Sequence, residues 1–353
     1  MDAKQTLINF VKIIDPKLKE YWQKELRKNF GFNQKQKELV IKMVTHSWDH
    51  NLRPSKRIRG SFVYYGYKLG KEPDSRIWDA AMGVELVHTG ILMHDDLMDL
   101  DDVRRGGPTT HKFFENGDSH YGTSMGVCVG DAIWQIGQEL LLSSDFDDKL
   151  VKDATLKMLR GTANTAWGQA YDLTLEKMPD LWTEDDVITV HKAKTAIYTY
   201  ENPLFIGAIL AGLKGEVFDI LHDYSMDGGV AFQLQDDILG VFGDSEKTGK
   251  SADSDLLQGK CTLLVLKVLQ NGTVAQITDL KKVWGKRSAP KSDIDLAKTA
   301  IIDSGSLDYS KKISKDYAAK AVKTAERLRK LKLNPEAIDF IQGVADYMVN
   351  RDL

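Results

Sequence analysis

Apolar residues recur at three- and four-residue intervals along almost the whole chain, a pattern that predicts helices nearly everywhere. Leu7, Phe10, Val11, Ile14, Leu18, Tyr21 and Trp22 mark one helix over about Ala3 to Asn29. A second is expected over Gln34 to His50, and Pro54 opens a third containing SFVYYGYKLG. Asp74 or Ser75 should cap a long helix that ends in a burst of aspartates. Helices over Gly122 to Leu142 and Asp147 to Glu176 follow. Thr183 with Asp186 forms a capping box for Glu184 to Glu201, which Pro203 should kink or break. Then come Val217 to Phe242, Asp255 to Leu269, and Ile294 to Asp303 capped by Ser292 with Asp295. Tyr309 to Leu331 is amphipathic, and Asn334-Pro335 opens the last helix. The best strand candidate, Val187 to Val190, lies inside a helical pattern. No βαβ alternation or repeat shows, and Gly285 to Lys291 is too short to mark a boundary. The expectation is one all-α domain, 1–353, a single large helical bundle around a central cavity.

Composition adds exclusions. The 353 residues are 42% hydrophobic, enough for a large core. The 48 basic and 51 acidic residues leave a formal charge of −3, so no global field draws nucleic acid or an anionic membrane. Any anion site must be local. Cys128 and Cys261 fall in apolar runs and read as buried thiols of a reducing compartment. The first residues lack a secretory apolar region, and no apolar run approaches the roughly 18 residues that span a bilayer. A cytoplasmic protein is expected.

The chemistry concentrates in VELVHTGILMHDDLMDLDDVRRGGPTTH, Val84 to His111. Asp95 and Asp99 fall four apart on one helical face, with His88 two turns earlier on the same stripe. Five carboxylates (Asp95, Asp96, Asp99, Asp101, Asp102) within eight residues repel one another unless positive charge sits among them. Mg²⁺ takes one or two carboxylates plus substrate phosphates. Arg104 and Arg105 suit an anionic ligand, because guanidinium forks match phosphate oxygens. A second acidic pair, Asp236-Asp237, lies in FQLQDDILG, with Gln233 three residues before Asp236. Either pair alone is weak evidence for a metal; two on separate helices are stronger. The cations complete the pattern: Lys56 and Arg59, expected on one helical face, Lys194 beside Thr195, then Lys250 and Lys260. Singly each is more often a solvated surface charge. Together they suggest two polyanion sites.

These motifs resemble those of the all-trans isoprenyl diphosphate synthases, whose bundle is called the isoprenoid synthase fold. HDDLMDLDDVRRG resembles the first aspartate-rich motif, DDxxD with its arginine pair, and FQLQDDILG the second. PSKRIRG is similar to GGKRxRP, AKTA to the Lys-Thr motif, and WGQAYDL to GQxxDL. TGK and QGK match two later lysines, and the likeness runs in order from about Arg53 to Lys260. It implies a prenyltransferase joining an allylic diphosphate (dimethylallyl, geranyl or farnesyl) to isopentenyl diphosphate, with no nucleic acid or membrane span and as a homodimer. Asp95 and Asp99 would hold two magnesium ions and Asp236 a third, with Asp96 and Asp237 in support. Arg104, Lys194, Lys250 and Lys260 would grip the allylic diphosphate. Lys56, Arg59, His88 and Arg105 would bind that of isopentenyl diphosphate. Thr195 and Gln233 would flank the carbocation, with Gln169 and Asp172 behind the site.

Three departures stand out. Pro54-Ser55 replaces Gly-Gly, Gly60 replaces proline, and Gly240 replaces the third aspartate of the second motif, with Asp244 a candidate electrostatic stand-in. Some family members also read DDILG, so Gly240 does not imply lost activity. In the family, positions five and four before the first aspartate help form the pocket floor, here Gly90 and Ile91. Aromatic residues there would stop growth at C15. Glycine is expected to leave the pocket open, giving geranylgeranyl diphosphate (C20) or longer, and Gly90→Phe to shorten it. The alternatives are a class I terpene cyclase and an inactive regulatory subunit. The cationic motif and QDD at Gln235 to Asp237 argue against the first, and the intact DDxxD against the second.

Overall fold

The computed structural model describes residues 2–28, 33–178, 182–243 and 253–350. Lys250, Asp244 and Asn29 lie outside them. Within them the chain is all-α. The elements are α1 (Ala3–Glu25), α2 (Gln34–Leu52), α3 (Ile58–Lys68), α4 (Ile77–Asp99), α5 (Thr110–Glu115), α6 (Ser119–Leu142), α7 (Asp148–Leu175) and α8 (Glu184–Val190). A π-helix (His191–Glu201) leads to α9 (Asn202–Leu210), α10 (Glu216–Phe242), α11 (Ser254–Gln258), α12 (Leu263–Asn271), α13 (Val274–Val283), α14 (Lys291–Asp303) and α15 (Ser306–Glu326). A 3₁₀ turn (Arg327–Leu331) precedes α16 (Pro335–Val349). The strands described are β1 (Val103–Arg104) and β2 (Gly107–Pro108), an antiparallel pair in which Val103 faces Pro108 and Arg104 faces Gly107. Among the described residues no helix is long and apolar enough to cross a membrane. The chain divides into two compact units, Asp2–Leu156 with Ile206–Gly212, and Lys157–Phe205 with Leu213–Leu353.

In the N-terminal unit α4 and α6 run antiparallel at very close range, because glycines meet at matching seven-residue steps. A Cβ on Gly83 would come 2.7 Å from the Gly137 carbonyl oxygen. On Gly90 it would come 2.7 Å from the Gly130 carbonyl and 2.8 Å from the Trp134 amide nitrogen. This corrects the expectation for Gly90. The residue has no side chain because another helix backbone occupies that space, and it does not hold open a floor. Ile91, one residue on, is half-buried and lies four residues before Asp95, on the same stripe.

Several local expectations shift. Lys56 and Arg59 do not share a helical face, because α3 begins only at Ile58 after Arg57 takes a left-handed φ of 49°. Neither Asp74 nor Ser75 caps α4; Asp74 instead accepts from the Arg76 amide at 3.0 Å and pairs with its guanidinium. Cys128 is exposed, whereas Cys261 is buried and its thiol is pushed up to about 12 by burial, aided by Asp172 and Glu176.

In the C-terminal unit Val230, Leu234, Ile238 and Val241 of α10 bury against Leu256, Leu263, Leu266 and Ile301. The Thr183–Asp186 capping box forms as expected, but the helix it opens widens into the π-helix after Val190. That stretch is clamped by two glycine contacts. A Cβ on Gly168 of α7 would come 2.6 Å from the Lys194 amide nitrogen, and one on Gly229 of α10 would overlap Ala196. The helix expected over Asp255 to Leu269 breaks at Gly259, φ 85°. Helix α13, with its Thr273–Gln276 capping box, was not anticipated. Ser292 and Asp295 do not cap α14, which starts at Lys291 after Pro290, and Asp295 pairs with Lys291 at 3.0 Å.

Gly90→Val should therefore destabilise the fold by about 1–3 kcal/mol through overpacking. Urea unfolding should show the midpoint falling with an unchanged slope.

Candidate active site

The N-terminal unit carries the first aspartates and most of the arginines. A helix cannot present five neighbouring carboxylates alike, and α4 sorts them. Asp95 is partly exposed and Asp99 lies one turn on, while Asp96 is 0% exposed. Asp96 bonds Arg104 Nε, and the Arg104 fork also reaches Asp101 at 3.2 Å and Asp95 at 3.7 Å. Burial works against the Arg104 charge, but Asp96, Asp95 and Asp101 outweigh it and raise its pKa. Asp96 is thus an anchor for Arg104 at the base of the cluster. His50, 1% exposed, stands behind it, with Nε2 3.5 Å from Asp96 Oδ2.

Arg104 is delivered by the β1–β2 hairpin. Its two turn residues, Arg105 (φ 50°) and Gly106 (φ 78°), both need positive φ, the signature of a type I′ turn. Arg53 ties this hairpin down, donating to the carbonyls of Arg104 (2.9 Å) and Pro108 (3.1 Å) while it pairs with Asp49 (2.8 Å). Side chains longer than hydrogen at 107 would run into the Arg53 guanidinium.

A cationic cluster surrounds His88. Arg59 donates to His88 Nε2 at 3.0 Å, so that nitrogen is bare and the ring neutral. Burial, then Arg59, Arg105, Arg104 and Arg57, hold its pKa well below the usual value. Arg105 is depressed to about 10 by burial and by Arg104 and Arg57, and remains charged at neutral pH. Such crowding of buried positive charge favours an anion. Arg57 escaped the sequence reading. It is buried, donates to Asp15 (2.8 Å) and the Asn51 carbonyl (2.7 Å), and faces Glu85 at 3.4 Å. Glu85 also accepts from the Gly60 amide at 2.8 Å, a bond that a proline there could not make. Lys56 is exposed, just ahead of α3.

The C-terminal unit holds the second group. Lys194 donates to Asp172 at 3.1 Å, and Lys260 lies 3.8 Å from Asp172 and 3.1 Å from Glu176. Gln169 is buried, and neither end of its amide has a hydrogen-bond partner, the condition of a group that a ligand or water completes. Thr195 donates to Gln233 at 2.7 Å, and Gln233 to Asp237 at 2.9 Å. Asp236 is half-buried, whereas Asp237 is buried and meets His191 at 3.1 Å. At Gly240 a Cβ would overlap the Asp255 carboxylate. An acid from α11 therefore stands where a third aspartate on α10 would begin.

Residues 41–301 match the family model described as Polyprenyl synthetase. A geranylfarnesyl diphosphate synthase of Aeropyrum pernix is 32% identical over 290 residues, covering 80% of this chain and 85% of that one. A geranylgeranyl diphosphate synthase of Saccharolobus solfataricus is 32% identical over 299 residues, covering 84% and 86%. Among solved structures, a geranylgeranyl pyrophosphate synthase from Corynebacterium glutamicum, complexed with isoprenyl diphosphate and magnesium, superposes with a TM-score of 0.89. It is 26% identical and both chains are covered completely.

Buried neutral histidines make this region acid-sensitive. His46 is pushed down to about 3 by burial, then by His50 and Arg53. Its contribution to stability is complete above the unfolded value near 6.5 and is lost as pH falls from there toward 3, by up to about 1.4 kcal/mol per pH unit. His46→Gln should flatten the fall of unfolding free energy across that window, as read by urea titrations at stepped pH.

A match across nearly three-quarters of the chain, on motifs that the fold places beside buried arginines and half-buried acids, decides the family: this is a polyprenyl synthetase, an all-trans isoprenyl diphosphate synthase and hence a prenyltransferase.

Proposed function

We propose that the enzyme condenses an allylic diphosphate with isopentenyl diphosphate, head to tail, in a magnesium-dependent reaction yielding geranylgeranyl diphosphate or a longer chain. The observation that carries this reading is the sorting of charge on and around α4. Asp95 and Asp99 share one stripe, while Arg57, Arg59, Arg104 and Arg105 surround the neutral His88. An acid pair that suits a divalent cation and a cationic pocket that suits a free diphosphate are what two diphosphate substrates require.

The residues fit magnesium. Asp95, Asp99 and Asp236 supply only hard oxygen donors, and Asp255 adds a carboxylate beside Gly240, where the motif lacks its own. Asp96 and Asp237, paired with Arg104 and Gln233, support rather than ligate. When bound, the metal neutralises charge on the departing diphosphate. The side chains do the rest. Arg104, Lys194, Lys250 and Lys260 hold the allylic diphosphate. Lys56, Arg59, Arg105 and neutral His88 orient isopentenyl diphosphate. Thr195 and Gln233 turn oxygen dipoles toward the allylic cation as it forms. The alkene attacks that cation, and the released diphosphate is the nearest strong base for the proton that leaves. Exposed apolar side chains on α6, among them Tyr121, Val127 and Leu142, support a homodimer, which sedimentation would test.

Incubating purified protein with Mg²⁺, isopentenyl diphosphate and allylic diphosphates of each length should give C20 or longer alcohols after dephosphorylation. No elongated product would overturn the reading. Ile91→Phe should move the product toward C15, because Ile91 and not Gly90 shares the Asp95 stripe. Asp95→Asn should lower kcat by about 100-fold or more, the scale on which transition-state charge stabilisation is lost. Asp255→Asn should raise the Mg²⁺ concentration for half-maximal activity and weaken Mn²⁺ binding in the presence of inorganic diphosphate.

A further inference from the structure

The β1–β2 hairpin is a weak element in a demanding place. Each strand is two residues long, and so short a pair is marginal in water by itself. Its turn begins at Arg105, at φ 50°, and a left-handed arginine persists only where its surroundings over-determine it. The base of the hairpin is secured from within. The Thr109 amide donates to the Asp102 carbonyl at 3.1 Å, and its hydroxyl to the Asp101 carbonyl at 2.7 Å. Nearer the turn, the clamp is Arg53.

Arg53 reaches one carbonyl on each strand. Nη1 donates to Arg104 at 2.9 Å and Nη2 to Pro108 at 3.1 Å. The fork is aimed from behind, because Nε and Nη2 also donate to Asp49 Oδ2 at 3.1 and 2.8 Å, four residues earlier on α2. Pro54 sets the backbone. A proline drives the residue before it out of the helical region, and Arg53 ends α2 with ψ 148°. The proline that departs from the family's glycine thus has a task. Gly107 completes the fit, since a Cβ there would lie 2.4 Å from Arg53 Cζ. Gly107 has no positive φ, so the guanidinium and not the backbone excludes a side chain.

The two arginines of the hairpin differ in what they owe to this clamp. The Arg104 side chain is fixed by Asp96, Asp101 and Asp95. Arg105 stands on the turn itself, so its place among Arg59 and His88 follows from how the turn is held.

We propose that Arg53 is a positioning residue for isopentenyl diphosphate: by bridging the two strands it holds the Arg105 turn in place and so sets affinity at the cationic pocket, while the allylic site, where Arg104 has anchors of its own, is left nearly untouched. This rests on the reading of function above. It goes beyond it in giving a task in substrate selection to a residue outside both substrate sites.

The test compares the two substrates. Arg53→Ala should raise KM for isopentenyl diphosphate about tenfold, with kcat and KM for the allylic diphosphate within about twofold. Titration calorimetry with isopentenyl diphosphate alone, where no turnover occurs, should show the same loss of affinity. Arg53→Lys keeps the charge but not the fork and should recover little of it. Full recovery would make the effect one of charge and overturn the proposal. Gly107→Ala should reproduce the loss in a chain that retains Arg53, because its methyl displaces the guanidinium. In an Arg53→Ala background it should add less than about twofold, since nothing is left to displace. The Asp49 side chain is 65% exposed, so Arg53→Ala strands no buried acid. Gly107→Ala carries the test whether or not Arg53→Ala folds. Equal losses for both substrates, a loss confined to kcat, or additive effects of the two substitutions overturn the proposal. A wild type that binds no isopentenyl diphosphate defeats the functional reading as well. One that binds it, with variants that bind it equally, overturns the proposal alone.

Discussion

The contact between Asp96 and Arg104 is the constraint on which the N-terminal unit depends. A carboxylate with no exposure on a mostly apolar helix is tolerable only against a charge that cannot leave. Arg104 meets that need and also answers Asp95 and Asp101, so one guanidinium relieves most of the repulsion in the cluster. The pairing fixes the hairpin to the end of α4, and Arg53 holds the hairpin's carbonyls from the other side. The position of Arg105 is thus a consequence of how Asp96 is neutralised. Removing either partner of a pair this deep costs about 3–5 kcal/mol, because the other is left charged and buried.

The cationic side follows the same logic with the sign reversed. Arg57 is satisfied by Asp15, Glu85 and the Asn51 carbonyl, and it has a structural task at the start of α3. His88 stays neutral between Arg59 and Arg105. A second protonated ring would only add repulsion. A neutral imidazole that accepts from Arg59 turns that guanidinium without adding charge, and the cationic character stays with the arginines.

The helical class was legible because the apolar period persists through nearly every segment. The aspartates and arginines were legible as chemistry because such residues are rarely placed beside apolar runs without a ligand. What escaped were features set by neighbouring backbones. Arg57 and Arg59 look alike in sequence, and only the left-handed turn at Arg57 sends one inward to Glu85. The π-helix leaves no mark in the pattern of apolar residues, since it changes the hydrogen-bond register and not the composition. It shows only where Gly168 and Gly229 let α7 and α10 press on it. Gly90 was misread for the same reason, because a glycine beside a cavity and a glycine beneath another helix are spelled alike. Gly240 looked like a lost acid, and the replacement, Asp255, comes from fifteen residues further along the chain.

Neither Asp95-Asp96 nor Asp236-Asp237 is a pair of equivalent ligands. In each the first acid is half-buried, while the second turns inward and meets a buried histidine, His50 for Asp96 and His191 for Asp237. Adjacent residues on a helix point about 100° apart, so a doublet cannot place both acids on one face. It can supply one acid for a cation and one to fix a neighbouring donor, Arg104 in the first case and Gln233 in the second. Substituting the inward acid should therefore disturb the orientation of that donor more than metal affinity. Read this way, a doublet joins a ligand to its own support, and a single acid at either place would leave the ligand without one or the other.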